Sequence, residues 1–124
     1  MKKSQAIHSF WSSFGLVAIP VPLSKEIEDD IGYPYITYTV SEAAIDEPVA
    51  MQGDLWFRSN DWKEAELLSY RIADFIKMMN PIKIDDGYIT IVGGTPFSQR
   101  LSEPDDDMIR RLSLNIIVEY FTNT

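Results

Sequence analysis

The sequence predicts an α+β fold in one domain, residues 1–124, with a mainly antiparallel sheet packed against one long helix and a shorter N-terminal helix. Three observations predict it. Apolar residues recur at helical spacing over residues 62–79. β-Branched and aromatic residues alternate with polar ones in several runs, and these runs do not alternate with helices as βα units. The 45% of hydrophobic residues in a chain of 124 suffices for one buried core.

The N-terminal elements come first in the chain. Residues 4–14 predict a short amphipathic helix that stops at Gly15. Residues 16–21 predict a short strand, which Pro20 confines to a sheet edge or a loop because proline cannot donate a ladder hydrogen bond. The apolar stripe that the helix is expected to bury consists of Ile7, Phe10, Trp11 and Phe14.

The middle of the chain predicts two strands and the long helix. Residues 35–40 and 49–58 read as strands, which a loop of this length joins most simply as an antiparallel hairpin. The helix over residues 62–79 begins after Asp61, a suitable cap, and ends before Pro81, which cannot continue it. At 1.5 Å per residue it would span about 27 Å, enough to cross a small sheet. We therefore expect the other segments to be arranged around this helix.

The C-terminal third predicts a hairpin, a long loop and a final strand. Apolar residues 82–84 and 88–92 flank Asp-Asp-Gly, a strong hairpin turn signal. Residues 93–107 are rich in Gly, Pro and Asp and predict an irregular loop. Residues 111–120 alternate apolar and more polar side chains, which is typical of a strand in a sheet covered on one side.

The negative charge of the chain lies mostly in two segments. The formal net charge is −8, and residues 24–30 and 102–107 hold eight of the nineteen carboxylates with one of the eleven Lys and Arg residues. The remainder is close to neutral, so the pattern predicts two solvated acidic loops on an ordinary domain. This balance argues against the clustered basic face that tight nucleic-acid binding requires.

Residues that carry chemistry are scarce in the sequence. There is no cysteine, which excludes disulfides and thiolate sites, and His8 is the single histidine, which argues against triads and histidine metal clusters. The acids Glu103, Asp105, Asp106 and Asp107 offer oxygen ligands for a hard cation, but their spacing differs from an EF-hand loop. The sequence thus predicts no catalytic residue, no metal and no cofactor. No stretch approaches the roughly 18 apolar residues of a membrane span.

The long helix carries a second set of side chains away from its main apolar face: Leu67, Tyr70, Arg71 and Met78. Two interpretations remain open at this point. The set is either a surface for a partner subunit or a face buried under a loop of the same chain.

Several stretches together resemble a known family. Tyr33-Pro34-Tyr35-Ile36-Thr37-Tyr38 is followed by Leu55-Trp56-Phe57-Arg58-Ser59, which leads to Trp62 at a helix start. Gly94-Thr95-Pro96-Phe97-Ser98-Gln99 then precedes the second acidic segment, Arg110-Arg111 and a long strand through Glu119. This order is similar to that of tail terminator (tail completion) proteins of long-tailed bacteriophages and prophages, over residues 33–121.

The resemblance implies a small α+β subunit that closes into a ring, typically a hexamer, at the head-proximal end of the tail tube. Such a ring stops tube polymerisation and joins the tail to the head–tail connector protein, and DNA passes through its lumen without specific binding. The implied partners are other copies of the chain, the tail tube protein and the connector, with no membrane. The implied location is the virion tail or neck, and the host cytoplasm during assembly. It implies no catalytic residue, so the protein is not expected to be an enzyme.

Combining the resemblance with the charge pattern assigns roles to two groups of residues. Leu67, Tyr70, Arg71 and Met78 are the candidate subunit interface. The loop with Glu103, Asp105, Asp106 and Asp107 is the candidate lumen or docking loop, because like charge discourages DNA from sticking. Three alternatives stay open: another neck or head-closure component, a small metal-dependent enzyme that uses this loop, and an adaptor that binds a basic partner.

Overall fold

Six strands form one curled sheet, and two helices pack on its inner face. The computed structural model describes residues 1–21, 31–41 and 47–122. In these ranges helix α1 spans Lys3–Trp11 and continues as a 3-10 turn over Ser12–Phe14, and helix α2 spans Lys63–Met78. The strands are β1 (Val17–Pro20), β2 (Tyr35–Tyr38), β3 (Val49–Arg58), β4 (Ile82–Ile84), β5 (Gly87–Leu101) and β6 (Ile109–Thr122).

The strand order is β1-β2-β3-β6-β5-β4, so the two longest strands and β3 form the middle of the sheet. All neighbouring pairs are antiparallel except β1 and β2, which run parallel. Helix α1 contacts both β1 and β4, the two edge strands. One short helix can reach both edges because the sheet curls into a half-barrel around it.

The predicted fold class is wrong: the structure is not one long helix packed on an antiparallel sheet. It is mostly sheet, with 46% strand and 26% helix, and the two helices are short. The 16 residues of α2 extend about 24 Å. The 15 residues of β5 extend about 50 Å when fully extended, so the helix covers only part of the strands. The organising unit is therefore the long β5–β6 hairpin with β3, and not α2.

The difference arises mainly in residues 93–107, where the prediction of an irregular loop is wrong. Strand β5 continues to Leu101 through a bulge: Gly93 pairs with Ile116 and Ser98 pairs with Leu114, so four residues of β5 stand opposite one residue of β6. The Asn115 side-chain amide donates a 2.9 Å hydrogen bond to the Pro96 carbonyl, which supplies a ladder partner at the break. The glycines and the proline that predicted the end of the strand lie at or within this bulge, where regular ladder pairing is not required.

Other predicted elements are confirmed. The stripe of α1 is buried, and Gly15 ends the helical segment with a left-handed φ of 83°. Strand β1 is an edge strand, β2 and β3 pair antiparallel, and β4 and β5 form the predicted hairpin. The N-cap of α2 is Trp62 and not the predicted Asp61, although the Asp61 carboxylate accepts a 3.1 Å hydrogen bond from the Lys63 amide.

The core lies between the inner sheet face and the two helices. Trp11 is fully buried, and its indole lies directly on Gly53 of β3, where there is no Cβ to hold it away. Phe14 of the N-terminal segment packs edge-on against Phe10 and against Phe75 of α2, and Phe10 contacts Phe75 at a tilt of 53°. The largest fully buried side chains are Trp11, Phe10, Ile7, Ile36, Leu55, Ile72, Ile89, Leu114, Ile116 and Val118.

Candidate interaction surfaces

The outer stripe of α2, formed by Leu67, Tyr70, Arg71 and Met78, faces away from the sheet. Leu67 is 53% exposed, Tyr70 62% and Met78 84%, and Arg71 is exposed as well. No described segment covers the stripe, so of the two open interpretations, burial under a loop does not hold for the described residues. Large apolar side chains in a row on one helix face are typical of a partner surface.

A shallow recess of about 350 Å³ adjoins this stripe, between α2 and the end of the N-terminal helical segment. Phe14, Phe75 and Met78 form its apolar walls, and Arg71 and Asp74 stand at its rim. Phe75 is 40% exposed although it packs on Phe10 and Phe14. The recess gives the stripe a concave element that a partner side chain can enter.

The acidic loop at residues 102–107 is less free than the sequence predicts. Glu103 accepts a 3.0 Å ion-paired hydrogen bond from Arg111. Asp106 accepts 2.9 Å from the backbone N–H of Met108 and 3.2 Å from Arg58. Two of the four candidate carboxylates are thus tied to arginines that project from β3 and β6.

The bonds to Asp106 also change its titration. The backbone N–H of Met108 lowers the pKa of the Asp106 carboxyl below its ordinary value, desolvation opposes this, and Arg58 adds to the lowering. Asp105 and Asp107 are exposed, and neither side chain makes a hydrogen bond with another described residue. The free charge of this loop therefore resides on Asp105 and Asp107. The first acidic segment, residues 24–30, lies outside the described residues.

An aromatic groove of about 570 Å³ lies on the outer, helix-free face of the sheet, next to the acidic loop. Trp56 stacks on Tyr35 with 5.9 Å between ring centroids and 9° between planes, and Tyr33 packs against Tyr35 at 5.3 Å. The Trp56 indole donates a 2.9 Å hydrogen bond to Thr37. Glu103 and Asp105 line the rim of the groove.

Arg111 closes one end of the aromatic stack. Its guanidinium lies 4.7 Å above the Trp56 ring and donates to one Asp54 oxygen at 2.6 and 2.9 Å. Burial disfavours its charge, but Asp54 and Glu103 outweigh that effect and hold the pKa of Arg111 above its ordinary value. Asp54 is only 7% exposed, so the pair is a fixed part of the groove floor.

Reasoning from the sequence did not find this groove. The alternation of β3 does place Asp54 and Trp56 on the outer face, and the register sets Trp56 opposite Arg111. The sequence signal that could have indicated the groove is the presence of Asp54 and Trp56 on the polar face of β3 and of Arg111 on the polar face of β6. Their pairing became visible only with the β3–β6 register, since these strands lie about fifty residues apart in the sequence.

Side chains for metal binding do not converge in the described ranges. Within residues 1–21, 31–41 and 47–122, no three His, Asp or Glu side chains come close enough together to hold a metal ion. The Nδ1 atom of His8 lies 2.7 Å from the hydroxyl of Tyr38, and its Nε2 lies 3.2 Å from Ser12 Oγ. These contacts tie α1 to β2, which is a structural use of the histidine.

No helix of the described residues is long and apolar enough to cross a membrane. The chain matches no protein-family model. A comparison with curated proteins likewise found no match.

Proposed function

We propose that the chain is a structural subunit of a long phage or prophage tail, which forms a ring at the end of the tail tube. The ring, a hexamer by the resemblance, would stop tube polymerisation and join the tail to the head connector. The outer stripe of α2 is the single observation that carries the proposal. A helix face with Leu67, Tyr70 and Met78 all more than half exposed needs a partner to cover it.

Ring closure requires contacts between two different surfaces of the same chain. A heterologous contact places one patch of a subunit on another patch of the next, and it closes when the rotation per subunit divides a full turn. The outer stripe supplies one such patch. No enzymatic step is needed in this role, and none is assigned to the chain.

The acidic loop supports a lumen or docking position. Asp105 and Asp107 keep their charge unpaired by the described residues, so they repel a DNA backbone that slides past them. Glu103 and Asp106 have a different use, because their bonds to Arg111 and Arg58 hold the loop in place. A head-closure component would present similar surfaces, and its binding to the connector instead of the tube would distinguish it.

The test is the assembly state of the purified chain, alone and mixed with tail tubes of the phage or prophage that encodes it. Sedimentation velocity and negative-stain electron microscopy should show closed rings, or rings bound to one end of the tubes. Tube length should then fall as the chain is added during polymerisation. A chain that stays monomeric and neither binds nor shortens the tubes would refute the proposal.

The aromatic groove favours a second candidate, an adaptor that binds a basic segment of a partner. Tyr33, which is 40% exposed, offers a ring face for an arginine or lysine, and the unpaired Asp105 adds negative charge at the rim. An arginine-rich peptide should then change tryptophan fluorescence and bind less tightly to Asp105→Asn, whereas a glutamate-rich peptide of equal length should not bind. Equal behaviour of the two peptides would exclude this candidate.

A further inference from the structure

We propose that the outer stripe of α2 docks on the outer face of the β5–β6 hairpin of a second copy, with Arg71 of one copy paired to Glu119 of the next. The proposal rests on the proposed ring and names the two surfaces that build it. It commits to a second copy of this chain as the occupant of the stripe. The observations that carry it are an unpaired cation inside one apolar surface and an unpaired anion inside another.

The second surface, here called the sheet patch, lies on the helix-free face of the long hairpin. Cross-strand neighbours there are Tyr88 with Phe121 and Val92 with Ile117. The rings of Tyr88 and Phe121 stack with 4.9 Å between centroids and 16° between planes. Tyr88 is 43% exposed and Val92 52%, so the hairpin presents two apolar cross-strand pairs to solvent on the same face.

Glu119 lies in the middle of the sheet patch. It pairs across the strands with Thr90, between the Tyr88–Phe121 pair and the Val92–Ile117 pair. Glu119 is half-buried and makes no ion pair with another described residue. A carboxylate held between apolar neighbours gains most from a partner cation that arrives with its own apolar surroundings, because the pair is then shielded from water.

Arg71 has the matching position on the outer stripe. It is exposed, stands between Leu67 and Met78, and makes no hydrogen bond or ion pair with a described residue. The stripe from Leu67 to Met78 is about 16 Å long on a helix, and the sheet patch from Tyr88 to Val92 is about 13 Å long on a strand. The two apolar surfaces are therefore similar in length. The stripe carries the cation Arg71, with Asp74 beside it at the rim of the recess, and the sheet patch carries the anion Glu119.

The recess next to the stripe adds a fit for an aromatic side chain. Phe14, Phe75 and Met78 line it, and Arg71 stands at its rim. An aromatic residue flanking Glu119, such as Phe121, can enter this recess when Arg71 meets Glu119. A cation beside an aromatic ring gains a further attraction from the ring face.

A contact between two copies of the stripe is the main rival arrangement. Two antiparallel α2 helices would bring Arg71 near Asp74 of the other copy, and this isologous contact would close as a dimer. It leaves Glu119 without a role. The effect of changing Glu119 therefore separates the two arrangements.

The experiment reverses each charge separately and measures assembly by sedimentation velocity over a range of protein concentrations. Arg71→Glu and Glu119→Arg each place like charges in the contact, so each should weaken self-association of the chain by at least about tenfold. Both residues lie outside the core, and circular dichroism should show that each variant is folded. In 0.5 M salt the loss should be smaller because the repulsion is screened.

Restoring complementarity provides the sharper readout. The double variant Arg71→Glu/Glu119→Arg should assemble again, because it exchanges the two charges. An equimolar mixture of the two single variants should also assemble as a ring in which the variants alternate. At one contact the stripe of the Arg71→Glu variant meets the sheet patch of the Glu119→Arg variant, so the two changed residues have opposite charges. At the next contact the unchanged Arg71 meets the unchanged Glu119. Matched controls are Lys77→Glu, about a third of a turn around α2 from Arg71, and Asp86→Arg in the β4–β5 turn. The controls should assemble like the wild type.

The outcomes separate failure of this contact from failure of the ring. Rings formed equally well by the wild type and by both single variants would overturn the Arg71–Glu119 contact and leave the proposed function standing. A wild-type dimer that is disrupted by Arg71→Glu but not by Glu119→Arg would establish the isologous contact between two stripes. That result would also overturn the Arg71–Glu119 contact. A wild-type chain that stays monomeric with and without tail tubes would overturn the proposed function and this contact together.

Discussion

Gly53 lies in the middle of β3 directly beneath the indole of Trp11, and an added methyl group there has no space. A Cβ at Gly53 would stand 2.5 Å from Cζ2 and 2.7 Å from Cζ3 of Trp11, and nearer still to Cη2. The indole cannot move aside, because it is fully buried and packs against Phe10 at 4.9 Å and Tyr38 at 6.4 Å. Gly53→Ala must therefore displace α1 from the sheet.

The expected cost follows from known overpacking in cores. Extra methyl groups in a filled core lower the free energy of unfolding by about 1–3 kcal/mol, and three close ring atoms place Gly53→Ala at about 3 kcal/mol, the upper end of this range. With a urea slope of about 2 kcal/mol/M, the unfolding midpoint should fall by about 1.5 M. Urea titration followed by circular dichroism measures this change.

Two controls make the result specific to this contact. Gly32→Ala is the same substitution at a position where a Cβ meets no atom within 4 Å, so its midpoint should stay the same or rise slightly. Trp11→Phe removes the part of the ring that clashes. In the Trp11→Phe background Gly53→Ala should cost much less, with a coupling energy of about 1–3 kcal/mol. If Gly53→Ala matches the wild type within about 0.5 kcal/mol, the packing of α1 on β3 described above is wrong.

Three further outcomes test other parts of the structure. Ile72→Asp should unfold the chain because Ile72 is fully buried, whereas Met78→Asp on the same helix should leave the urea midpoint nearly unchanged because Met78 is 84% exposed. Asp106→Asn should lower stability at pH 7. The backbone N–H of Met108 holds the pKa of the Asp106 carboxyl in the folded protein below its ordinary value of 3.8. The wild type therefore loses the stabilising charge of Asp106 as the pH falls below about 3.8, and the difference in stability between the wild type and Asp106→Asn should shrink there. Asp105→Asn with Asp107→Asn should preserve the urea midpoint and alter ring assembly or virion infectivity; unchanged assembly and infectivity would remove the acidic loop from the proposed mechanism.

The Asp106 outcome also refines the design of loop variants. Neutralising all three aspartates at residues 105–107 would remove the bonds that Met108 and Arg58 make to Asp106. A loss of assembly would then have two explanations, a lost charge or a displaced loop. Leaving Asp106 in place separates the two.

Local patterns in the sequence were sufficient for several elements. The stripe of α1, the left-handed Gly15 and the Asp-Gly turn between β4 and β5 each depend on residues close together in the chain. The buried face of α2, with Ala65 and Ile72 among its residues, follows from helical spacing in the same way. Short-range periodicity predicts such features because each element buries one face of its own.

The wrong fold class has a definite cause in the sequence. Gly93, Gly94 and Pro96 are typical loop residues, and the segment containing them was expected to be irregular. In the structure β6 supplies partners on both sides of a bulge, so β5 runs through them to Leu101. A template strand can compensate for unfavourable residues, and whether such a strand is present cannot be read from local composition.

The sequence alone determined which side chains are apolar, which faces of α1 and α2 bear them, and in which segments the acidic residues are concentrated. Only the tertiary structure decided that Trp56 and Arg111 meet over Asp54, that Glu103 and Asp106 are bonded, and that no described segment covers the outer stripe of α2. Each of these depends on strand register or on packing between segments far apart in the chain. Periodicity reports the face of one element, whereas register and curl depend on how all six strands share one core.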